Sequence, residues 1–147
     1  MIPMGLAAQT SSLDGIYEEY TGRKGYRSIV YGKKMISIMK EDASTDVRKL
    51  LNGIRTIRII SHDGSDGRLC EDVQQTVRRH HELISRIDED GSSSLFYLYE
   101  GNDAGADMSF VMLVSAPGSQ IVLEIIGRFD VKDISKLSVI GTQNPTR

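Results

Sequence analysis

Cysteine is nearly absent from this chain. Cys70 stands alone among 147 residues, so no intrachain disulfide can form, and zinc patterns built on paired cysteines are excluded. A long apolar run is missing too: the longest strongly apolar window, residues 110–114, is far below the ~20 residues that a membrane-spanning helix needs. No stable membrane insertion is expected. Nor is there a basic surplus, since 18 Lys and Arg stand against 20 Asp and Glu, giving a net charge of -2. Nucleic-acid binding needs a basic excess or a basic face. The densest basic stretch, Arg23, Lys24, Arg27, Lys33, Lys34 and Lys40, is relieved by Glu18, Glu19, Glu41 and Asp42 and reads as a solvated rim, so no nucleic-acid partner is expected.

Several motifs that carry chemistry are also lacking. Gly22-x-x-Gly25, Gly64-x-x-Gly67 and Gly101-x-x-x-Gly105 do not have the spacing of a dinucleotide fingerprint or a P-loop, and there is no G-x-S-x-G nucleophile elbow. Two acidic loops fail as calcium loops, because the twelfth position is Gln74 counting from Asp63 and Tyr99 counting from Asp88, where a bidentate glutamate is required. The stretch TVRRHHELIS, residues 76–85, comes nearest to a motif. A zinc metalloprotease helix reads H-E-x-x-H, but Ser85 occupies the second histidine's place. His80 and His81 are adjacent, so on a helix their side chains diverge by about a hundred degrees and cannot share one ion. The sequence therefore assigns no metal, no cofactor and no catalytic residue. Cys70 falls in the first turn of an expected helix, where the dipole favours a thiolate, yet a free cysteine on an apolar stripe is ordinarily a small buried residue.

What is present suits one domain. A chain of this length buries roughly two-thirds of its unfolded surface, and no repeat or linker divides residues 13–140; residues 1–12 and 141–147 are expected to be disordered ends. Leu13, Ile16, Tyr17 and Tyr20 recur at helical spacing behind Ser11 or Ser12 as cap. YRSIVY, residues 26–31, reads as a strand. Met35, Ile36, Ile38 and Met39 make a short apolar helix, and residues 45–52 a second, capped by Ser44 or Thr45 and stopped at Gly53. IRTIRIIS, residues 54–61, is a β-branched strand followed by a loop at 62–67. A long helix is expected over 68–87, since Val73, Val77, His80, Ile84 and Ile87 recur at four-and-three spacing. That stripe buries His80 and leaves His81 wet.

After a polar turn at 88–94, strands are expected at 95–99, 108–115 and 121–126, the last two joined by Pro117-Gly118. An Asp130-led helix with Val131, Ile134, Leu137 and Ile140 on one stripe closes the chain. This order predicts an α+β domain with a mainly antiparallel sheet of about five strands backed by helices. Phe110, Met112 and Val114 point to one side of their strand, Val111 and Leu113 to the other. Neither side is polar, so helices cover both faces, or else another chain covers the second.

The order of three segments, GRKGYRSIVYGKKMISIM, HHELISRIDEDGSSSLFYLYEG and MSFVMLVSAPGSQIVLEIIGRFDVKDISKL, resembles a family of domains of unknown function numbered 4252, found mainly in Bacteroidetes. The resemblance spans about residues 13–138. It implies a small exported or envelope protein with no established activity, and it brings no catalytic residues. An export signal is consistent with residues 1–8, MIPMGLAA, which are apolar and end in two alanines before Gln9. The expectation is a non-catalytic periplasmic or secreted domain that binds a protein or small ligand through a sheet face or edge. Tyr97 and Tyr99, on one strand face, are the expected contact residues. The expected partner is an envelope protein or a second copy meeting the sheet face. The alternatives are a hydrolase or redox enzyme using Cys70 or a histidine, and a cytoplasmic regulatory module if the chain truly starts at Met1.

Overall fold

The computed structural model describes residues 13–64, 67–101, 106–130 and 132–133. The elements are α1 (Asp14–Tyr20), β1 (Tyr26–Tyr31), α2 (Lys33–Glu41), α3 (Thr45–Leu51), β2 (Ile54–Asp63), α4 (Leu69–Val77), β3 (Glu82–Glu89), β4 (Ser92–Tyr99), β5 (Met108–Ala116) and β6 (Ser119–Gly127). The six strands form one antiparallel sheet in the order β1-β2-β6-β5-β4-β3. The α+β class holds, with six strands where about five were expected.

The extra strand comes from residues 82–89. The helix expected over 68–87 ends at Val77, and the chain turns through Arg78, Arg79 and His80, whose backbone N–H groups bond back to Gln74, Thr76 and Val77. ELISRIDE then pairs with β4. Asp90 and Gly91 both take positive φ, 53° and 81°, the conformation of a two-residue turn whose twist matches the flanking strands. This hairpin overrides the helical spacing of Ile84 and Ile87, which are β-branched and suit a strand equally well. The polar turn expected over 88–94 shrinks to those two residues. The reversal also exchanges the histidines: His80 is exposed, and His81 is 8% exposed.

Helices lie on both sides of the sheet, as expected from β5. On one face α1 and α4 bring Tyr17, Tyr20, Leu69, Val73 and Val77 against Ile60, Tyr97, Val111, Leu113 and Val122. On the other, α2 and α3 bring Ile36, Leu50 and Leu51 against Ile54, Ile57, Phe96, Phe110 and Ile125. Each of these large apolar side chains contributes roughly 1.5–3 kcal/mol by leaving water. Tyr20 also joins the two helices of its face by donating its hydroxyl to the Asp72 carboxylate.

Local signals fix the short helices. Ser44 caps α3, its Oγ accepting from the Val47 N–H at 3.3 Å. Arg48 reaches back to the carbonyls of Lys40, in the last turn of α2, and of Ala43, just beyond it. The N-cap position of α1 is Leu13, without a side-chain cap; Ser11 and Ser12 lie outside the described residues. Gly53, after α3, packs its backbone against that of Arg128, and any side chain there would overlap the Arg128 carbonyl. Asp130 accepts from the Lys132 N–H at 2.9 Å, as the expected helix start requires. The residues of the expected helix other than 130, 132 and 133, with residues 1–12 and 141–147, lie outside the described residues.

Candidate functional site

A row of polar side chains crosses the sheet beneath α1. It begins on β2, where Arg58 stands directly opposite Glu124 of β6. Arg58 Nη2 donates to Glu124 Oε1 at 2.9 Å, and Nη1 lies 2.7 Å from Asp14 Oδ1 in the first turn of α1. The guanidinium also lies 4.0 Å from the centre of the Tyr17 ring, while the Tyr17 hydroxyl donates to the Arg58 carbonyl. Glu124 is fully buried. On β5, Ser109 donates its hydroxyl to Glu124 Oε2 at 2.7 Å, and His81 Nε2 lies 3.0 Å from the same Ser109 Oγ. Tyr99, opposite Ser109 on β4, places its ring 5.7 Å from that of His81.

The electrostatics follow from burial. Burial works against the Arg58 charge, but Glu124 and Asp14 outweigh it and hold its pKa above the ordinary value. Burial, then the Glu124 charge, pushes the Tyr17 phenol well above its usual range. Burial, with a smaller contribution from His80, pushes His81 down to about 4, so the imidazole is neutral at ordinary pH. The Ser109 proton is directed at Glu124, so the Ser109 oxygen must accept from an Nε2–H of His81. His81 Nδ1 is then a buried acceptor with no partner, and the Arg58 Nε is likewise unpaired.

This arrangement is no nucleophilic triad. In a triad the acid orients the histidine, and the histidine takes the proton of the serine. Here the acid holds the serine proton, and the histidine is the donor at the far end. Ser109 is also only 7% exposed. What the row does is structural: charge-assisted hydrogen bonds tie α1, β2, β6 and β5 to one another, and the neutral His81–Ser109 bond adds the α4–β3 connection.

The residues singled out in the sequence fall elsewhere or at the margin. Tyr97 is 4% exposed in the core, its hydroxyl 3.3 Å from Gln74 Nε2. Tyr99 is half-buried at the end of the polar row. Cys70 is half-buried in α4, with its Sγ 3.7 Å from the Val114 carbonyl. Burial pushes its thiol up to about 11, with the Ile121 backbone acting the other way, so the thiol form prevails. His62 stacks on Tyr26 at 4.3 Å and places Nδ1 2.9 Å from the Gly25 carbonyl. Among the described residues no group of three or more His, Cys, Asp and Glu gathers as a metal site would need, and no helix is long and apolar enough to cross a membrane.

Sequence reasoning missed Asp14, Arg58, Ser109 and Glu124. One signal for them was present: Glu124 is the single charge inside IVLEII, and a charge in a buried strand implies a partner.

A second surface feature stands apart from the row. Met35, Ile38 and Met39 on α2 are 43%, 54% and 36% exposed, and their spacing puts them on adjoining positions of one helix side. The only buried residue of that helix is Ile36.

The family model for the domain of unknown function DUF4252 matches residues 17–137. The chain belongs to the DUF4252 family. This covers all ten described elements except the start of α1. No curated protein matches the DUF4252 chain. Among solved structures it is similar to a Pseudomonas aeruginosa protein of unknown function, PA94, named as a candidate regulator. That likeness has a TM-score of 0.38 at 10% identity, over 86% of this chain and 88% of the other.

Proposed function

We propose that this DUF4252 domain is a non-catalytic, exported binding module that receives a protein partner on the open side of α2. The observation that carries this reading is the trio Met35, Ile38 and Met39, large apolar side chains left in water on one helix. An apolar helix side is a common docking element for another protein, and methionine adapts to the shape that meets it. The buried polar row supports the non-catalytic part, because its serine and histidine are closed off and its proton order is wrong for attack. Of the two tyrosines expected as contacts, Tyr99 has surface to offer, and it forms a second, smaller proposed contact at the sheet face. The proposed setting is the periplasm or cell exterior, in keeping with the apolar residues 1–8.

The test is affinity capture with the full chain as bait, beside an Ile38→Asp variant. Ile38 is 54% exposed, so the variant folds as the wild type does, which circular dichroism checks. A stoichiometric partner kept by the wild type and lost by Ile38→Asp is the expected result. A partner held equally by both proteins would remove α2 as the docking element.

A further inference from the structure

We propose that copies of this chain add edge to edge, with β1 of one copy lying beside β3 of the next, so that the sheet continues head to tail. The strand order leaves β1 and β3 as the outer strands among the described residues. Among the described residues each therefore has a row of backbone N–H and C=O groups with no strand beside it, the usual template for pairing with another chain. Both edges also carry large apolar side chains in water: Val30 is 60% exposed on β1, and Leu83 and Ile84 are 47% and 43% exposed on β3.

The occupant is named by charge. From Arg23 to Lys34 the chain has five cations and no acid. Arg23 is engaged by Glu19, leaving Lys24, Arg27, Lys33 and Lys34 along the β1 edge. Strand β3 and its turn carry Glu82, Asp88, Glu89 and Asp90 against Arg86 alone, and Arg86 is held by Asp88 at 2.9 Å. Two β1 edges repel, as do two β3 edges, whereas β1 against β3 sets opposite charges together. This excludes the symmetric pairs and selects the heterologous one, which does not close on itself at two copies.

The sheet geometry accepts this contact without distortion. Six strands alternate in direction. Because that number is even, a second copy in the same orientation presents its β1 antiparallel to β3 and keeps the α1/α4 face on the same side. The alternation of side chains then limits the register to every second position. Ile29 stands opposite Ile59, and Ile59 and Ile87 both pack with the α2/α3 face; of the registers this allows, the proposed one sets Ile29 of one copy opposite Ile87 of the next, because it also joins opposite charges. That register sets Arg27 opposite Glu89 and Tyr31 opposite Ser85. The irregular step between Leu83 and Ser85 falls just past the end of β1, so it does not interrupt the five positions, residues 27–31 against 85–89, at which the two strands face each other.

Sedimentation velocity on the full chain tests the contact, at rising concentration in low and high salt. The wild type is expected to grow in mean mass past that of a dimer as concentration rises, and to lose this growth at high salt. Arg27→Glu and Glu89→Arg each put like charges opposite one another and raise the dissociation constant roughly tenfold or more. An equal mixture of the two variants restores association, because every junction in an alternating array again pairs opposite charges. Circular dichroism checks that both exposed-site variants are folded. A wild type that stays monomeric, a plateau at the dimer, or a mixture that stays dissociated would each overturn the proposal. Ile38→Asp must leave self-association unchanged; if it abolishes association, the contact lies on α2 and the edge pairing is wrong.

Discussion

The two faces of the sheet are built differently. The α2/α3 face is dry: Ile54, Ile57, Phe96, Phe110 and Ile125 meet Ile36, Leu50 and Leu51 without a charge among them. The α1/α4 face encloses the chain of groups from Asp14 through Arg58, Glu124 and Ser109 to His81. Apolar contact is non-directional and tolerates small shifts of a helix. A guanidinium bridging carboxylates on two elements does not, since a slip of about an ångström breaks both bonds. One face thus supplies bulk stability, and the other specifies where α1 sits and how β2, β6 and β5 are registered.

The largest effect comes from cutting the polar row at its centre. Glu124→Ala leaves Arg58 charged and buried with Asp14 as its one remaining carboxylate, and should cost about 4 kcal/mol, as a broken buried ion pair does. The double variant Arg58→Met, Glu124→Leu removes both charges and is expected to recover most of that loss in denaturant titration. If the single variant costs less than about 1 kcal/mol, the row is not the fixed element described above. If the double variant is no better than the single one, the row contributes stability as well as position.

The next effect is a pH dependence confined to the polar face. Burial holds His81 at about 4, below its unfolded value, so on acidification the unfolded chain takes up a proton first. Stability at neutral pH is therefore lost as pH falls through about 6.5 toward 4, by about 1.4 kcal/mol per pH unit and about 3 kcal/mol in all. His81→Asn has no such proton to gain. The stability-against-pH curves of the two proteins should diverge over that window and run parallel above it, with exposed carboxylates cancelling between them. Parallel curves throughout would mean that His81 titrates as it does in the unfolded chain.

These two faces were unequally legible in the sequence. The dry face could be read, because its strands are apolar, β-branched runs and Ser44, Gly53 and Pro117-Gly118 punctuate its elements in the ordinary way. Residues 78–89 could not be read by spacing alone. Ile84 and Ile87 satisfy a helical stripe and a strand alike, and the deciding feature was the turn at Asp90-Gly91, a strong two-residue hairpin signal. Missing it hid β3 and reversed His80 and His81. The polar row was hidden for a different reason: Arg58 and Glu124 lie 66 residues apart, and nothing local tells one arginine of a strand from the next. The lone Glu124 in an apolar run could raise the demand for a partner but not name it.

The smallest effect asks whether the faces act independently. Ser44→Ala removes the side-chain cap from α3, on the dry face, and should lower stability by about 1 kcal/mol. Capping is local, satisfying one N–H at the helix start, so its loss should not reach the polar row through the sheet. Combined with Glu124→Ala, the two costs are then expected to add to within about 0.5 kcal/mol. The α1 helix offers the contrast, since it has no side-chain cap and its first turn is held by Asp14 on Arg58. Asp14→Ala shares Arg58 with Glu124, so paired with Glu124→Ala it should depart from additivity by more than the Ser44 pair does. Double-mutant cycles on both pairs decide it: equal coupling would mean that the sheet transmits strain between its faces and that the division described here is only chemical.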